Sequence, residues 1–289
     1  MRLGDGPYGH VRVQNRMVGA AVREARLLCG LNGDQLAGLL GWSPAKVSRV
    51  ESGARACSAE DLARCLGMVG AAPDVFERAV HVHRQVDSDV LVHRHAPGWP
   101  DAVWTLGRCE SSASVIVAYE PSRVPALLQT EAYARAVIGD DDPVQVEARM
   151  ARQRRMYERS GLALEVLVPE AVLRVVVGGR AAMEEQLMQL LLLSHRDEFD
   201  IRVVSAPGVL LGGPFTLMEH RAYPPVVHVE LEAASVLLDA PEIVRAYRAR
   251  LRRLRAAAVG RQRSREVLLE IADGYGVRAV ERIGAPESA

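Results

Sequence analysis

Between Met17 and Asp87 the apolar positions recur in short runs at helical spacing, and no segment alternates as a strand would. Val18, Val22, Ala25 and Leu28 form one stripe, ended by Gly30. Leu36, Leu39 and Leu40 form the next, opened by Asn32 with Gln35 three residues on, close to a capping box, and ended by Gly41. Ser43 then suits an N-cap, Pro44 the first helical position and Gly53 the left-handed stop, so residues 44 to 52 read as one short helix with Val47 and Val50 inward. Ser58 and Asp61 open a further helix carrying Leu62, Cys65, Leu66 and Val69, and Pro73 starts another that reaches about Val86.

From Arg108 the pattern is mixed. Glu110 to Ala118 fits helix or strand, whereas Thr130 to Ile138, Val144 to Arg159 and Ala181 to Ser194 read as helices. Leu164 to Val168 alternates between Gly161 and Pro169 as a strand, and Ile201 to Val204, Phe215 to Glu219 and Val226 to Glu230 are further strand candidates. Asp239-Ala240-Pro241-Glu242 opens a long helix to about Ala272. The expected fold is a mainly α N-terminal helix-turn-helix bundle followed by an α/β (α+β) C-terminal domain. With Pro97-Gly98-Trp99-Pro100 as the best linker signal, the expected division is 1–87, a linker at 88–107, and 108–289.

Composition narrows the function classes. At 289 residues with 49% hydrophobic and 25% charged positions, the chain has the makings of two folded domains, not of a disordered or low-complexity protein. Lys+Arg and Asp+Glu are 36 each, so attraction to phosphate has to come from a local patch. Residues 12 to 55 supply one: Arg12, Arg16, Arg23, Arg26, Lys46, Arg49 and Arg55 against Glu24, Asp34 and Glu51, a local balance of +4. Lys46 is the only lysine. The first residues lack an apolar signal core and no later stretch has the length of a membrane span, so a cytoplasmic protein without membrane contact is expected. Cys29, Cys57, Cys65 and Cys109 form no Cys-x-x-Cys pair, and His81, His83, His93 and His95 lack a spaced acid or thiol partner, so no metal is expected. No phosphate loop, dinucleotide fingerprint or nucleophile elbow appears, so no cofactor is expected either.

Two helices joined by a short Gly-containing turn, the second capped and carrying exposed cations, are the parts of a helix-turn-helix reader of double-stranded DNA. Val22-Arg23-Glu24-Ala25-Arg26, Gly30-Leu31, Asp34-Gln35-Leu36-Ala37, Leu40-Gly41 and Ser43 through Gly53 resemble the Cro/repressor-type (XRE) helix-turn-helix family. The family's usual Thr-Gln opening of the second helix is Asn32-Gly33 here, and Pro44 and Ala45 stand at the front of the third. The resemblance implies DNA contacts from Asn32, Ser43, Lys46, Ser48, Arg49 and Arg55, with direct base readout resting on Ser43, Lys46, Ser48 and Arg49. So small a reading set fits relaxed specificity, reliance on phosphates and DNA shape, or a scaffold that has lost DNA binding.

The C-terminal part resembles the domain of unassigned function that follows the XRE module in many regulators of filamentous Gram-positive bacteria. The likeness rests on Tyr119-Glu120-Pro121, Val124 through Arg135, Arg149-x-x-Arg152-Gln153, Glu170 through Arg174, Glu185-Gln186-Leu187 and Gly213 through Leu217 leading to Val227-x-x-Glu230. Ala126, Pro169 and Ser205 depart from its pattern. The resemblance implies a regulator, sometimes associated with antitoxin-like gene pairs. Together with polar chemistry beside apolar runs, it marks Tyr119, Arg123, Gln129, Tyr133, Glu170, Gln186 and Glu230 as pocket candidates. Glu170, His228 and Glu230 are the acid–base candidates if the domain is catalytic. The expectation is therefore a homodimeric transcriptional regulator that senses a small molecule or partner protein. The alternative is a regulator scaffold recruited to bind or transform a small molecule.

Overall fold

The computed structural model describes residues 11–95, 103–139, 141–205 and 212–275. In chain order the elements begin with α1 (Val13–Leu28), α2 (Gly33–Leu40), α3 (Pro44–Glu51), α4 (Ala59–Met68), α5 (Pro73–His83), β1 (Val90–Arg94), α6 (Trp104–Ser112) and β2 (Ala113–Tyr119). There follow α7 (Glu131–Ile138), α8 (Pro143–Tyr157), β3 (Ala163–Pro169), α9 (Glu170–Arg174), α10 (Arg180–Ser194) and β4 (Phe199–Val204). The chain continues with β5 (Phe215–His220), β6 (Val226–Leu231), β7 (Ala234–Leu238), α11 (Pro241–Ala257) and α12 (Arg261–Asp273). A helical N-terminal region followed by mixed sheet and helices is the fold class expected from the sequence.

The described residues divide into two compact units, one of residues 11–95, 103–113 and 218–245, the other of 114–139, 141–205, 212–217 and 246–275. In the first, α1 buries Met17, Val18, Ala21, Val22 and Ala25 and packs against α5, α3 and α4. Gly19 sets how closely α1 approaches α3: a Cβ there would lie 2.3 Å from the Val50 carbonyl oxygen. Gly53 supports the same crossing from the other side, at φ +77° and with its would-be Cβ 2.7 Å from the Arg16 nitrogen. Strands β6 and β7 form an antiparallel pair, and β7 also pairs with β1. Two readings of the sequence change here. Residues 90–94 are a strand inside the segment expected as a linker, because Val90 and Val92 find Leu238 and Val236 far along the chain. Pro97 through Pro100 lie outside the described residues. Glu110 to Ala118, open between helix and strand, is both: α6 runs to Ser112 and β2 begins at Ala113.

The second unit holds parallel pairing of β2 with β3 and of β3 with β4. Parallel neighbours need crossovers, supplied by α7 and α8 between β2 and β3 and by α9 and α10 between β3 and β4. Val166, Leu167 and Val168 of β3 are all buried, as strands covered on both faces require. The leucine face of α10, with Leu187, Leu190 and Leu191 buried, packs against α12 and β4. The long helix expected from Pro241 is two: α11 stops at Ala257, Val259 donates its N–H to the Val203 carbonyl at 2.9 Å, and α12 starts afresh at Arg261.

Candidate nucleic-acid interface

The helix-turn-helix is assembled almost wholly by local chemistry. The Asn32 side chain accepts from the Gln35 N–H at 2.9 Å while the Gln35 side chain accepts from the Asn32 N–H at 2.8 Å, closing a reciprocal box at the start of α2. Gly41 ends α2 at φ 66°, and Trp42 returns an N–H to the Ala37 carbonyl at 2.9 Å. Ser43 caps α3 by accepting from the Lys46 N–H at 3.2 Å, with Pro44 at the first helical position. Val47 and Val50 are then buried three residues apart, and Pro44, Ala45, Ser48 and Arg49 are left on the exposed side.

The charges are not distributed as a local count suggests. Arg12 is taken by Asp239, its Nε 2.8 Å from Oδ1. Arg26 is clamped by both Glu51 carboxylate oxygens at 2.6 and 2.9 Å and donates to the Leu31 carbonyl at 2.7 Å. Lys46, expected on the outer face, turns back: its Nζ lies 2.9 Å from Asp61 Oδ2 and 3.5 Å from the centroid of the Trp42 ring. Asp61 lies beyond the window over which the charge was summed, which is why the lysine read as free. Arg49 and Arg55 are exposed, and among the described residues neither makes an ion pair. Gly53 turns the chain at φ +77°, and the Arg55 N–H donates to the Arg49 carbonyl at 2.9 Å, so both cations sit at the end of α3. Of the six candidate contacts, Asn32 and Ser43 thus cap helices, Lys46 is partnered, and Ser48, Arg49 and Arg55 are open. Arg49 is the side chain able to reach guanine O6 and N7 together, and Ala45 offers a surface to a thymine methyl.

The candidates of the C-terminal region fall into several places. Gln129, Tyr133 and Gln186 are wholly buried and hold main chain. Gln129 donates to the Val124 carbonyl at 2.7 Å and accepts from Arg149 at 2.6 Å, the Tyr133 hydroxyl accepts from the Val124 N–H at 3.2 Å, and Gln186 bridges the Thr130 N–H and the Leu128 carbonyl at 2.9 and 2.8 Å. These bonds fasten the segment from Val124 to Thr130. Tyr119 is buried against Phe215, with ring centroids 6.0 Å apart and the Arg250 guanidinium 5.2 Å from its ring. Burial pushes the phenols of Tyr119 and Tyr133 up from their ordinary values. Arg123 lies 3.8 Å from Glu120. Glu170 opens α9, bonded to Arg174 at 2.7 Å and to the Ser205 hydroxyl at 3.1 Å, and Arg174 holds its carboxyl below the usual range. Glu230 and buried His228 lie on β6, which belongs to the first unit. Among the described residues no cluster of His, Cys, Asp or Glu suits a metal ion, and no helix is long and apolar enough to cross a membrane.

A feature absent from the sequence reading is a pair of adjoining clefts in the first unit, of about 510 and 320 Å³, both lined by Arg23, Glu51 and Tyr223. The available signal was the second stripe of α1, where Arg16, Ala20, Arg23 and Leu27 follow at helical spacing beside the apolar one.

A family model described as "Helix-turn-helix domain" matches residues 18–79, and one described as "Domain of unknown function (DUF5753)" matches residues 103–270. Among solved structures, the clp gene regulator ClgR from C. glutamicum is 31% identical, over 24% of this chain and 88% of its own, at a TM-score of 0.22. TrmBL2, an archaeal chromatin protein, is 10% identical, over 64% of this chain and 59% of its own, at a TM-score of 0.34. No curated protein matches.

Proposed function

We propose, from the premise that the chain belongs to the family of the domain of unknown function DUF5753 and carries a helix-turn-helix domain ahead of it, that the protein is a DNA-binding transcriptional regulator. One observation carries the reading: α3 is capped, buries Val47 and Val50, and turns Pro44, Ala45, Ser48 and Arg49 outward with Arg55 beside them. A helix so presented fits the major groove, where Arg49 is assigned to a base edge and Arg55 to phosphate. With Lys46 held by Asp61, base readout falls on Arg49 and Ser48, and phosphate contacts and DNA shape supply the rest.

The finer parts of the proposal are a homodimer, whose two α3 helices stand about 34 Å apart over a palindrome, and a C-terminal region that senses a small molecule or partner protein in the cytoplasm. Electrophoretic mobility of DNA from the gene's own promoter neighbourhood tests the reading. Arg49→Ala is expected to weaken binding by about 1–3 kcal/mol and to relax sequence preference, Arg55→Ala to weaken all sequences alike, and Lys46→Ala to do less than either. Equal, weak binding of the wild type to every sequence would sink the proposal.

A further inference from the structure

Arg16 lies in the first turn of α1 and is only 6% exposed, so the residue has lost most of its contact with water. Its partners are the Ser112 hydroxyl, the Arg108 carbonyl at 3.4 Å, the His220 ring nitrogen at 3.3 Å and the face of Tyr223, 4.5 Å to the centroid. None carries a full negative charge, and among the described residues no carboxylate lies within ion-pair distance of it. A buried guanidinium normally has an acid, because neutral acceptors do not offset the loss of hydration. Glu51 and Glu24 line the same cleft, but the first is spent on Arg26 and the second on Arg108 and Arg78. Arg16 therefore borders an open cleft as a cation without its anion.

The cleft supplies the rest of a site. Its volume of about 320 Å³ is in the range that holds small ligands. Arg23 is exposed and, among the described residues, makes no ion pair, so two guanidiniums about two turns apart on α1 line one space. Ser111 and Ser112 add hydroxyls. Met17, Ala20 and Leu27 add apolar surface and Tyr223 a ring. We propose that this cleft binds a small organic carboxylate, its oxygens toward Arg16 and Arg23 and its apolar body against Leu27 and Tyr223. The site goes beyond DNA reading but borders it: Arg23, Glu51 and Tyr223 also line the larger cleft, whose wall includes Pro44 and Ser48 of α3.

The test uses the full-length protein and benzoate as probe, titrated calorimetrically at fixed ionic strength, with benzyl alcohol as the neutral counterpart and inorganic phosphate as the competing anion. Saturable benzoate binding is expected, with no binding of benzyl alcohol. Arg23→Ala is expected to weaken benzoate about tenfold and Arg16→Gln to abolish its binding, while Arg64→Ala, exposed and outside the cleft, leaves it unchanged. Should Arg16→Gln fail to fold, Arg23→Ala and Tyr223→Leu carry the same test. No saturable benzoate binding, equal binding by wild type and Arg23→Ala, or binding of phosphate with benzoate excluded would each overturn the assignment. Promoter binding by the same preparations separates the two readings: intact DNA binding without benzoate binding removes only the site, and benzoate binding without DNA binding removes only the regulator.

Discussion

The Arg26–Glu51 pair ties three pieces of the helix-turn-helix together, and removing either side chain is expected to unfold the first unit at markedly lower denaturant. Arg26 sits in the last turn of α1, Glu51 ends α3, and the Leu31 carbonyl that shares the guanidinium belongs to the connection into α2. Their side chains are 9% and 11% exposed, so either partner left alone is an almost dry charge. Breaking a buried pair from one side costs about 3–5 kcal/mol, and the residual exposure places each single substitution, Arg26→Met or Glu51→Leu, near about 3. The double substitution replaces the pair with apolar groups and leaves only the Leu31 carbonyl to rehydrate, so it is expected within about 1 kcal/mol of wild type. Urea unfolding followed by fluorescence of Trp42 and Trp104, both in this unit, measures the four corners of the cycle. The expected coupling exceeds about 2 kcal/mol and changes little between 0.1 and 0.5 M salt, since buried charges are poorly screened. Single substitutions each costing under about 1 kcal/mol, and simply additive, would show that the pair behaves as an exposed one and would refute the argument.

Two further outcomes follow from burial. Desolvation pushes the thiols of Cys57 and Cys109 up to about 11 and that of Cys65 up to about 12, whereas Cys29 is exposed. At pH 8 Ellman's reagent is therefore expected to titrate one thiol per native chain and all four after unfolding, and Cys29→Ser to abolish the native reaction; a second thiol reacting as fast would contradict this. His93 lies 5.5 Å from His81, and burial, then the neighbouring His81, His95 and Arg78, lowers its pKa from 6.5. The unfolded chain takes up that proton first as pH falls below about 6.5, so stability drops over this window until the folded imidazole is also charged. Denaturation midpoints at pH 5.5 and 7.5 should differ less in His93→Gln than in wild type, and an equal difference would exclude His93 as a source of the slope.

What the sequence made legible is what local chemistry decides. The Asn32–Gln35 box, the Ser43 cap with Pro44 behind it, and the left-handed glycines 41 and 53 each act within a few residues, so the boundaries of α2 and α3 could be placed from the string alone. Strand β1 has no such local signature. Val90 to Arg94 is short and holds two polar residues, and it becomes a strand because β7 presents a free edge to it. The same distinction governs polar candidates. Gln129 and Gln186 stand beside apolar runs, the pattern of a pocket lining, yet their amides are occupied by main-chain groups at Val124, Thr130 and Leu128. Composition beside a hydrophobic run does not distinguish a side chain that binds a ligand from one that pins a loop.

Charge shows the same division with more consequence for function. Summed over residues 12 to 55, the excess of +4 suggests a broad cationic face. Folding withdraws Arg12 to Asp239 and Lys46 to Asp61, both acids outside that window, and buries Arg16 among neutral groups. Three exposed arginines remain, 23, 49 and 55, and they do two different things: Arg49 and Arg55 lie together at the end of α3, while Arg23 lines the clefts beside Arg16. A broad patch would give DNA affinity whose salt slope follows the local count of seven cations. The arrangement observed instead leaves two cations beside α3, and with Arg49 on a base edge only Arg55 neutralises phosphate, so the logarithm of promoter affinity should fall with the logarithm of salt at a slope per protomer of roughly −1 from that contact. A slope several units steeper, unmoved by Arg49→Ala and Arg55→Ala, would mean that the duplex is gripped by a surface other than α3.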